Sequence, residues 1–500
     1  MDTEIELKLL VSAEAGNLLE HSFIPTLDAQ IKASRFKLFN CYYDTPDNAL
    51  RAMDMGFRVR GRDGQYEQTI KTSGNSVGGL HQRPEYNIAI DNNQPDLMLF
   101  DAVIWPDSTD VESLQGVISE VFTTHFERSA YLLEFANGDK VEVVFDNGVI
   151  SVGEHQVPLS EIEMELIQGK PERLFQLAQQ LGQFVDYRLG ILSKAARGYM
   201  LAKGTEIMPL GPLENVSLNS QFNIEQAFNK AIGYGLGRWQ HSEQCFVVTG
   251  KIRALEGIYS GIALTIQALN LYKQWLACDA IDELLPRLQQ QLQQWQWVHD
   301  VLSLKSLRSE RGSFCKRLTK IPELLSYLLG REQGLMQQHQ PLTIINAADN
   351  TDIQLSLTRL LIDMPWRLTA QVWENTILPL SEGVLASGWQ SVVDCMQGEE
   401  SLSTEQYLAS EATIKTSLFN GVFLADLYGE STNAAFRAPW LDIMDGIEEV
   451  HTIRLLQSEL QYVELPDDLG LEQWCQEKAQ RIVDIMDQSR RRALLSAPYW

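Results

Sequence analysis

The stretch Gly56-Phe57-Arg58-Val59-Arg60-Gly61-Arg62 sorts its side chains with a period of two. As a strand it puts three arginines on one face and Phe57 with Val59 on the other. The sorting recurs along the first two hundred residues. Glu4, Glu6 and Lys8 alternate with Ile5, Leu7 and Leu9, and Glu67, Thr69 and Lys71 alternate with Gln68 and Ile70. Arg83 and Glu85 alternate with Tyr86 and Ile88 on the other parity. Lys140, Glu142 and Asp146 alternate with Val141, Val143 and Phe145, and Glu161, Glu163 and Glu165 with Ile162, Met164 and Leu166.

Alternation alone also suits strands with a wet outer face, as in a sandwich. The segregation of sign says more. The polar face of 58–62 is purely basic and that of 161–165 purely acidic, whereas a solvated surface favours interspersed signs. Sign-sorted strands make sense when the charged faces look inward across a barrel, where acidic walls bind a divalent cation and basic walls a polyanion. The repulsion among Arg58, Arg60 and Arg62 then makes the empty barrel less stable than the loaded one.

Short alternating runs between turn signals predict strands at 3–11, 35–44, 56–63, 65–72, 82–90, 123–136, 139–146 and 157–167, enough for a barrel. Short helices are expected at 12–20, 47–53, 110–121 and 171–183. Beyond residue 213 the chain turns to long Leu-, Gln- and Ala-rich segments of helical spacing, cut at Pro286, Pro322, Pro341, Pro365 and Pro379. The expected organisation is an α+β domain over 1–203, a linker over 204–212 and an all-α domain over 213–500.

A net charge of −25 argues against a general nucleic-acid or anionic-membrane binder, because such partners need clustered Lys and Arg. Any polyanion must meet a local pocket of cations. There is no apolar run long enough to span a membrane and no basic leader, so the expectation is a cytoplasmic chain. The six cysteines show no CxxC spacing and read as reduced core residues.

At this point the residues resemble a family. Glu4-x-Glu6-x-Lys8, Tyr42-Tyr43-Asp44-Thr45, Leu50-Arg51 before Gly56-Phe57-Arg58-Val59-Arg60, Lys71, Glu85, Arg128, Asp146, Glu163-x-Glu165 and Ser193-Lys194 are similar to the CYTH superfamily, the triphosphate tunnel metalloenzymes. The resemblance implies an eight-stranded antiparallel β-barrel tunnel with flanking helices that binds a triphosphate along its axis with Mg²⁺ or Mn²⁺. It implies Glu4, Glu6, Asp146, Glu163 and Glu165 as metal carboxylates. It implies Lys8, Arg58, Arg60, Lys71, Arg83, Arg128 and Lys194 as phosphate ligands, with Glu85 and Arg197 orienting them. Glu4, Glu6, Lys8 and Glu165 are the expected catalytic set. Tyr42 and Tyr43 read as wall packing. Arg62, Glu142 and Glu161 share the site's parity, and position along the strand decides whether they reach it.

The activity these features imply is metal-dependent hydrolysis of inorganic triphosphate to diphosphate and phosphate. The alternatives are hydrolysis of an organic triphosphate, thiamine triphosphate or a nucleotide, and a non-catalytic polyphosphate sensor. In the helical part, Phe246-Val247-Val248-Thr249-Gly250-Lys251-Ile252-Arg253 and Trp297-Val298-His299-Asp300-Val301 resemble a degenerate CHAD helical-bundle domain, associated with polyphosphate binding. That family's closely spaced arginines are largely missing here. Arg490-Arg491-Arg492 reads as a solvated last helical turn.

Overall fold

The computed structural model describes residues 2–369, 372–466 and 469–500. The chain forms two compact units. One comprises Met1–Met208 together with Ile345–Asp363, the other Pro209–Ile344 together with Met364–Trp500. The segment 345–363, which the sequence pattern groups with the helical part, thus belongs to the first unit.

That unit is built on ten strands: β1 (Asp2–Leu10), β2 (Ala29–Asp44), β3 (Gly56–Arg62), β4 (Gln65–Lys71), β5 (Asn75–Val77), β6 (Leu80–Ile90), β7 (Ser119–Phe135), β8 (Lys140–Val152), β9 (His155–Gln168) and β10 (Arg188–Leu189). Eight pair in the order β1-β9-β8-β7-β2-β3-β4-β6, and β6 returns to β1, so the antiparallel sheet closes into a barrel. Closure removes the free edges. The short β5 and β10 pair beside β6 and β1.

Local chemistry sets the register. Asp63 and Gly64 both take positive φ, 51° and 80°, the two-residue turn whose twist suits a hairpin. It locks Arg58 opposite Thr69 and Arg60 opposite Glu67. On β1, β3, β4, β6, β8 and β9 the apolar parity faces away from the lumen and is covered. Leu7, Leu9, Val141, Ile162 and Met164 pack with Leu174, Phe175, Leu177 and Leu181 of the helix Glu172–Leu181. Phe57 and Ile70 pack under Leu97, Phe100 and Ile104, whereas Leu38, Tyr42 and Phe122, on the lumen parity shared with Asn40 and Thr124, pack against Tyr199 of the helix Lys194–Ala202.

The expected helix over 110–121 is shorter, Val111–Gln115, and its last residues belong to β7. Ser119 onward pairs with Asp44 and Tyr43 of β2, and that ladder overrides local helical spacing.

The second unit is helical. Its helices Ile224–Thr249 and Arg253–Tyr272 lie close because Gly235 and Gly261 carry no side chain. A Cβ at Gly261 would stand 2.5 Å from Trp239 N, and one at Gly235 2.6 Å from Thr265 Oγ1. Asn223 and Gln226 cap the first of these reciprocally. Many cations of this unit are held in ion pairs: Arg308 with Glu332, Arg331 with Glu459, Arg367 with Glu225 and Arg454 with Glu405.

Arg490 departs from the solvated turn that its sequence suggests. It is fully buried, pairs with Asp487 at 2.7 Å and donates to the carbonyls of Met396, Gly398 and Glu400. A planar fork with five donors satisfies a bend of unpaired carbonyls that a lysine could not. No described helix is long and apolar enough to cross a membrane.

Candidate active site in the barrel lumen

The barrel encloses a cavity of about 280 Å³. Its walls carry Glu4, Glu6, Lys8, Arg58, Arg60, Lys71, Arg83, Glu85, Arg128, Glu163, Glu165 and Lys194. Of the residues singled out from the sequence, Asp146 and Arg197 lie outside this lining. Asp146 is fully buried behind Arg128 and Lys194, and Arg197 stands 3.8 Å from Glu161.

Two groups of carboxylates result, in different electrostatic states. Asp146, Glu161 and Glu163 offer oxygens within 4.8 Å of one another, a donor set suited to a hard divalent cation. Three side chains counter them. Arg128 grips Asp146 with two hydrogen bonds of 2.7 Å and reaches Glu163 at 3.2 Å. Lys194 lies 2.8 Å from Asp146, 2.5 Å from Glu161 and 3.0 Å from Glu163. Lys8 contacts Glu163 and stands 3.1 Å from Glu161. Although burial opposes it, the attraction of Lys194, Lys8 and Arg128 holds the Glu163 carboxyl far below the usual range.

The second group is poorer in cations. Register places Glu6 opposite Glu165 across β1 and β9, and Glu165 opposite Glu142 across β9 and β8. Glu4 follows on the same face of β1. Burial, with Glu4 and Glu142 adding to it, pushes the Glu165 carboxyl up to about 7. Burial likewise raises Glu4 to about 7, with Glu6 and Glu85 adding to it against the pull of Lys71. Carboxylates crowded beside one another are stabilised by a cation among them, and oxygen donors of this kind suit Mg²⁺ or Mn²⁺.

Opposite stand the cations. Burial and the neighbouring Arg58 and Arg128 lower the Arg60 guanidinium to about 10. Asn40, itself fully buried, aims it by accepting its Nε at 2.8 Å while donating to Thr124. Arg58 Nε and Arg83 Nε are buried without a hydrogen-bond partner among the described residues. Buried donors left open toward a lumen are suited to phosphate oxygens. Burial opposes ionisation of Glu85, yet Lys71 at 3.1 Å and Arg58 at 3.3 Å hold it down at about 2.

The frame of the site is local. Asp44 accepts from the amides of Thr45, Leu50 and Arg51 and from Tyr199 Oη at 2.6 Å, which ties the end of β2 to the helix that carries Lys194. Ser193 caps that helix. Tyr42 stacks on Phe122 at 4.3 Å in the wall. Arg62 is exposed and lies over the Phe36 ring, away from the lumen, whereas Glu142 lines it. Glu161 sits at the buried end. Strand parity gives its face, but only the stagger of β9 against β1, which sets Glu161 opposite Leu10, gives its depth. Asn40 carries no signal in the sequence beyond sharing parity with Tyr42.

Residues 2–199 match the CYTH domain family. A Haemophilus influenzae protein named inorganic triphosphatase is 37% identical over 200 residues, which are 40% of this chain and 54% of that protein. The chain thus spans about half the length of that curated relative. Among solved structures, a Hippeastrum adenylyl cyclase candidate with a dominant triphosphatase activity is 20% identical, covering 42% of this chain and 99% of that one at a TM-score of 0.31. The CHAD domain of the plant Ricinus communis is 15% identical, covering 58% of this chain and 92% of that one at a TM-score of 0.38. Neither of these two likenesses bears on the assignment. The matched stretch contains all eight strands of the closed barrel and every charged residue that lines its lumen, and residues 2–199 of this chain are a CYTH domain.

Proposed function

We propose that the chain hydrolyses inorganic triphosphate to diphosphate and phosphate in the barrel lumen, with Mg²⁺ or Mn²⁺. The observation that carries this reading is the division of one cavity into a row of carboxylates, Glu4, Glu6, Glu165 and Glu142, and a wall of cations, Arg58, Arg60 and Arg83, with open donors on Arg58 and Arg83. An anion site alone has no use for the carboxylates, and a cation site alone none for the arginines.

In this reading Glu4, Glu6 and Glu165 hold the cation, which when bound supplies Lewis-acid polarisation of the phosphate oxygens. Asp146, Glu161 and Glu163 are an alternative cation group, and would release Lys8, Lys194 and Arg128 to serve. Arg58, Arg60, Arg83 and Arg128 bind phosphate oxygens with planar forks, Lys8, Lys71 and Lys194 as point charges. Glu85 orients Arg58 and Lys71, and Arg197 supports Glu161. In phosphoryl transfer such groups act by placing the substrate and neutralising the charge on the leaving diphosphate.

Among the described residues, Tyr42 and His81 are the only ring side chains lining the cavity, and Tyr42 is already stacked on Phe122. That leaves little for a nucleobase or thiazole to stack on and favours the inorganic substrate. The helical unit we read as a degenerate CHAD-like domain, several of its cations, Arg308, Arg331, Arg367 and Arg454 among them, engaged by its own carboxylates. The cytoplasm suits this reading, with Cys41, Cys278 and Cys475 buried and in no disulfide.

The test is phosphate release from tripolyphosphate, thiamine triphosphate and ATP by the full chain and by Glu6→Gln, with Mg²⁺, Mn²⁺ or EDTA. Cation-dependent turnover of tripolyphosphate well above the other two, lost in Glu6→Gln, is the expected result. Binding of tripolyphosphate without turnover would put the sensor reading in its place.

A further inference from the structure

The helix Ala348–Asp363 lies about 150 residues beyond the CYTH domain in sequence, yet it is part of the barrel unit. Leu355 and Ile362 pack in the same cluster as Leu7, Leu9, Leu80 and Leu189. Two of its threonines reach the backbone on either side of Lys8. Thr358, fully buried, shares its hydroxyl proton between Gly78 O at 3.2 Å and Gln354 O, one turn back, at 3.0 Å. Thr351 Oγ1 donates to Tyr187 O at 2.9 Å.

Both contacts end on segments that bracket Lys8. Gly78 and Gly79 form a turn with positive φ at both residues, 58° and 84°, a backbone state that glycine adopts without steric cost. Gly79 O accepts the Lys8 amide at 3.0 Å. On the other side the Gly190 amide donates to Lys8 O at 2.8 Å, three residues along from Tyr187. Gly190 O in turn accepts His81 Nε2 at 2.9 Å, and His81 Nδ1 accepts from Ser76 Oγ at 3.0 Å. The Lys8 stem fills the space at Gly190, where a Cβ would come within 2.7 Å of Lys8 Cγ. Lys8 is therefore held through both of its backbone polar groups, and each holder is anchored by the same distant helix.

We propose that Thr358 and Thr351 are positioning residues for Lys8: through the Gly78–Gly79 turn and the segment 187–190 around β10, the helix Ala348–Asp363 sets where the Lys8 ammonium stands in the lumen. The kinetic consequence rests on the triphosphatase reading, whereas the positioning itself does not.

The experiment compares the full chain with Thr358→Val, which keeps the shape and removes the donor, Thr358→Ser, which restores the donor, and Thr351→Val, which tests the other bracket. Amide hydrogen exchange is followed for residues 2–10 and for the remaining barrel strands, and tripolyphosphate kinetics are measured alongside. One hydrogen bond of ordinary strength corresponds to about a three- to tenfold change. Exchange at Lys8 should rise by that factor in Thr358→Val, with KM for tripolyphosphate rising in step, kcat nearly unchanged, and Thr358→Ser restoring both. Unchanged exchange at Lys8 in both valine variants would overturn the inference. So would a rise spread evenly over the barrel strands, which is the mark of plain destabilisation. If the wild-type chain fails to turn over tripolyphosphate, the functional reading falls, and exchange at Lys8 alone decides the positioning role.

Discussion

Glu6 on β1 stands directly opposite Glu165 on β9 in the wall of the lumen, with Glu142 opposite Glu165 on its other side. Like charges facing each other across a ladder destabilise it by up to about 1 kcal/mol a pair. A folded chain that keeps three of them in register gives up stability at this place, which is the usual mark of a site kept for function.

Glu165→Gln should therefore separate stability from activity. Relieving the row should slow hydrogen exchange of the β1 and β9 amides in EDTA, while cation-dependent turnover of tripolyphosphate falls by about 100-fold or more, the scale of losing one charged group from a preorganised site. A variant that exchanges faster than wild type in EDTA would mean the row is not strained.

The same row predicts how the chain answers to metal. A cation that binds only the folded barrel stabilises it by about 2.7 kcal/mol at a concentration one hundred times its dissociation constant. Calorimetry of the full chain should show the barrel transition move up with Mg²⁺ or Mn²⁺. The shift should shrink strongly in Glu4→Gln and Glu165→Gln and stay intact in Arg62→Ala, whose side chain lies outside the lumen.

Arg60 offers a test of geometry against charge. Its Nε is tied to Asn40 and its fork is aimed into the cavity beside Arg58 and Arg128. Arg60→Lys keeps the charge and loses the fork and its tether. Affinity for tripolyphosphate, read by calorimetric titration in the presence of cation, should drop about tenfold or more, the value of one charge-assisted hydrogen bond. Asn40→Ala should give part of that loss with every charge in place. Equal affinity in all three chains would show that charge alone holds the substrate.

Much of the barrel was legible because six of its eight strands, all but β2 and β7, sort their faces with a period of two, and closing such strands leaves one place for each parity. The eight expected strands are the eight that close, and Arg58, Arg60, Lys71, Glu85 and Glu165 share one lumen on parity alone. What parity does not carry is depth and partnership. Glu161 and Arg62 have the same pattern in the sequence, yet stagger buries one and leaves the other outside. Arg490 looks like its two neighbours, and only the carbonyls of a bend ninety residues away explain its burial. The helix Ala348–Asp363 has ordinary amphipathic spacing, and nothing in that spacing tells which apolar face it will cover.

Arg490 and Asp487 carry the last prediction. The pair is buried, and Tyr407 and Ser401 also donate to Asp487. Although burial opposes it, hydrogen bonds from Arg490 and Arg491 hold the Asp487 carboxyl below its ordinary value of 3.8. Between the folded and unfolded values the unfolded chain binds more protons, so this contribution is fully present above about pH 4 and is lost as pH falls through the folded value. Asp487→Asn leaves Arg490 buried without its counter-charge, which costs about 3 to 5 kcal/mol near neutrality. Every tryptophan but Trp105 lies in the helical unit, so tryptophan fluorescence reports on that unit during urea unfolding. Wild type should exceed Asp487→Asn by several-tenths of its midpoint at pH 7, and the gap should close as the pH is lowered below about 4, because protonating Asp487 makes the wild type resemble the variant. A gap of the same size at both pH values would trace the loss to packing and leave the ion pair without a role.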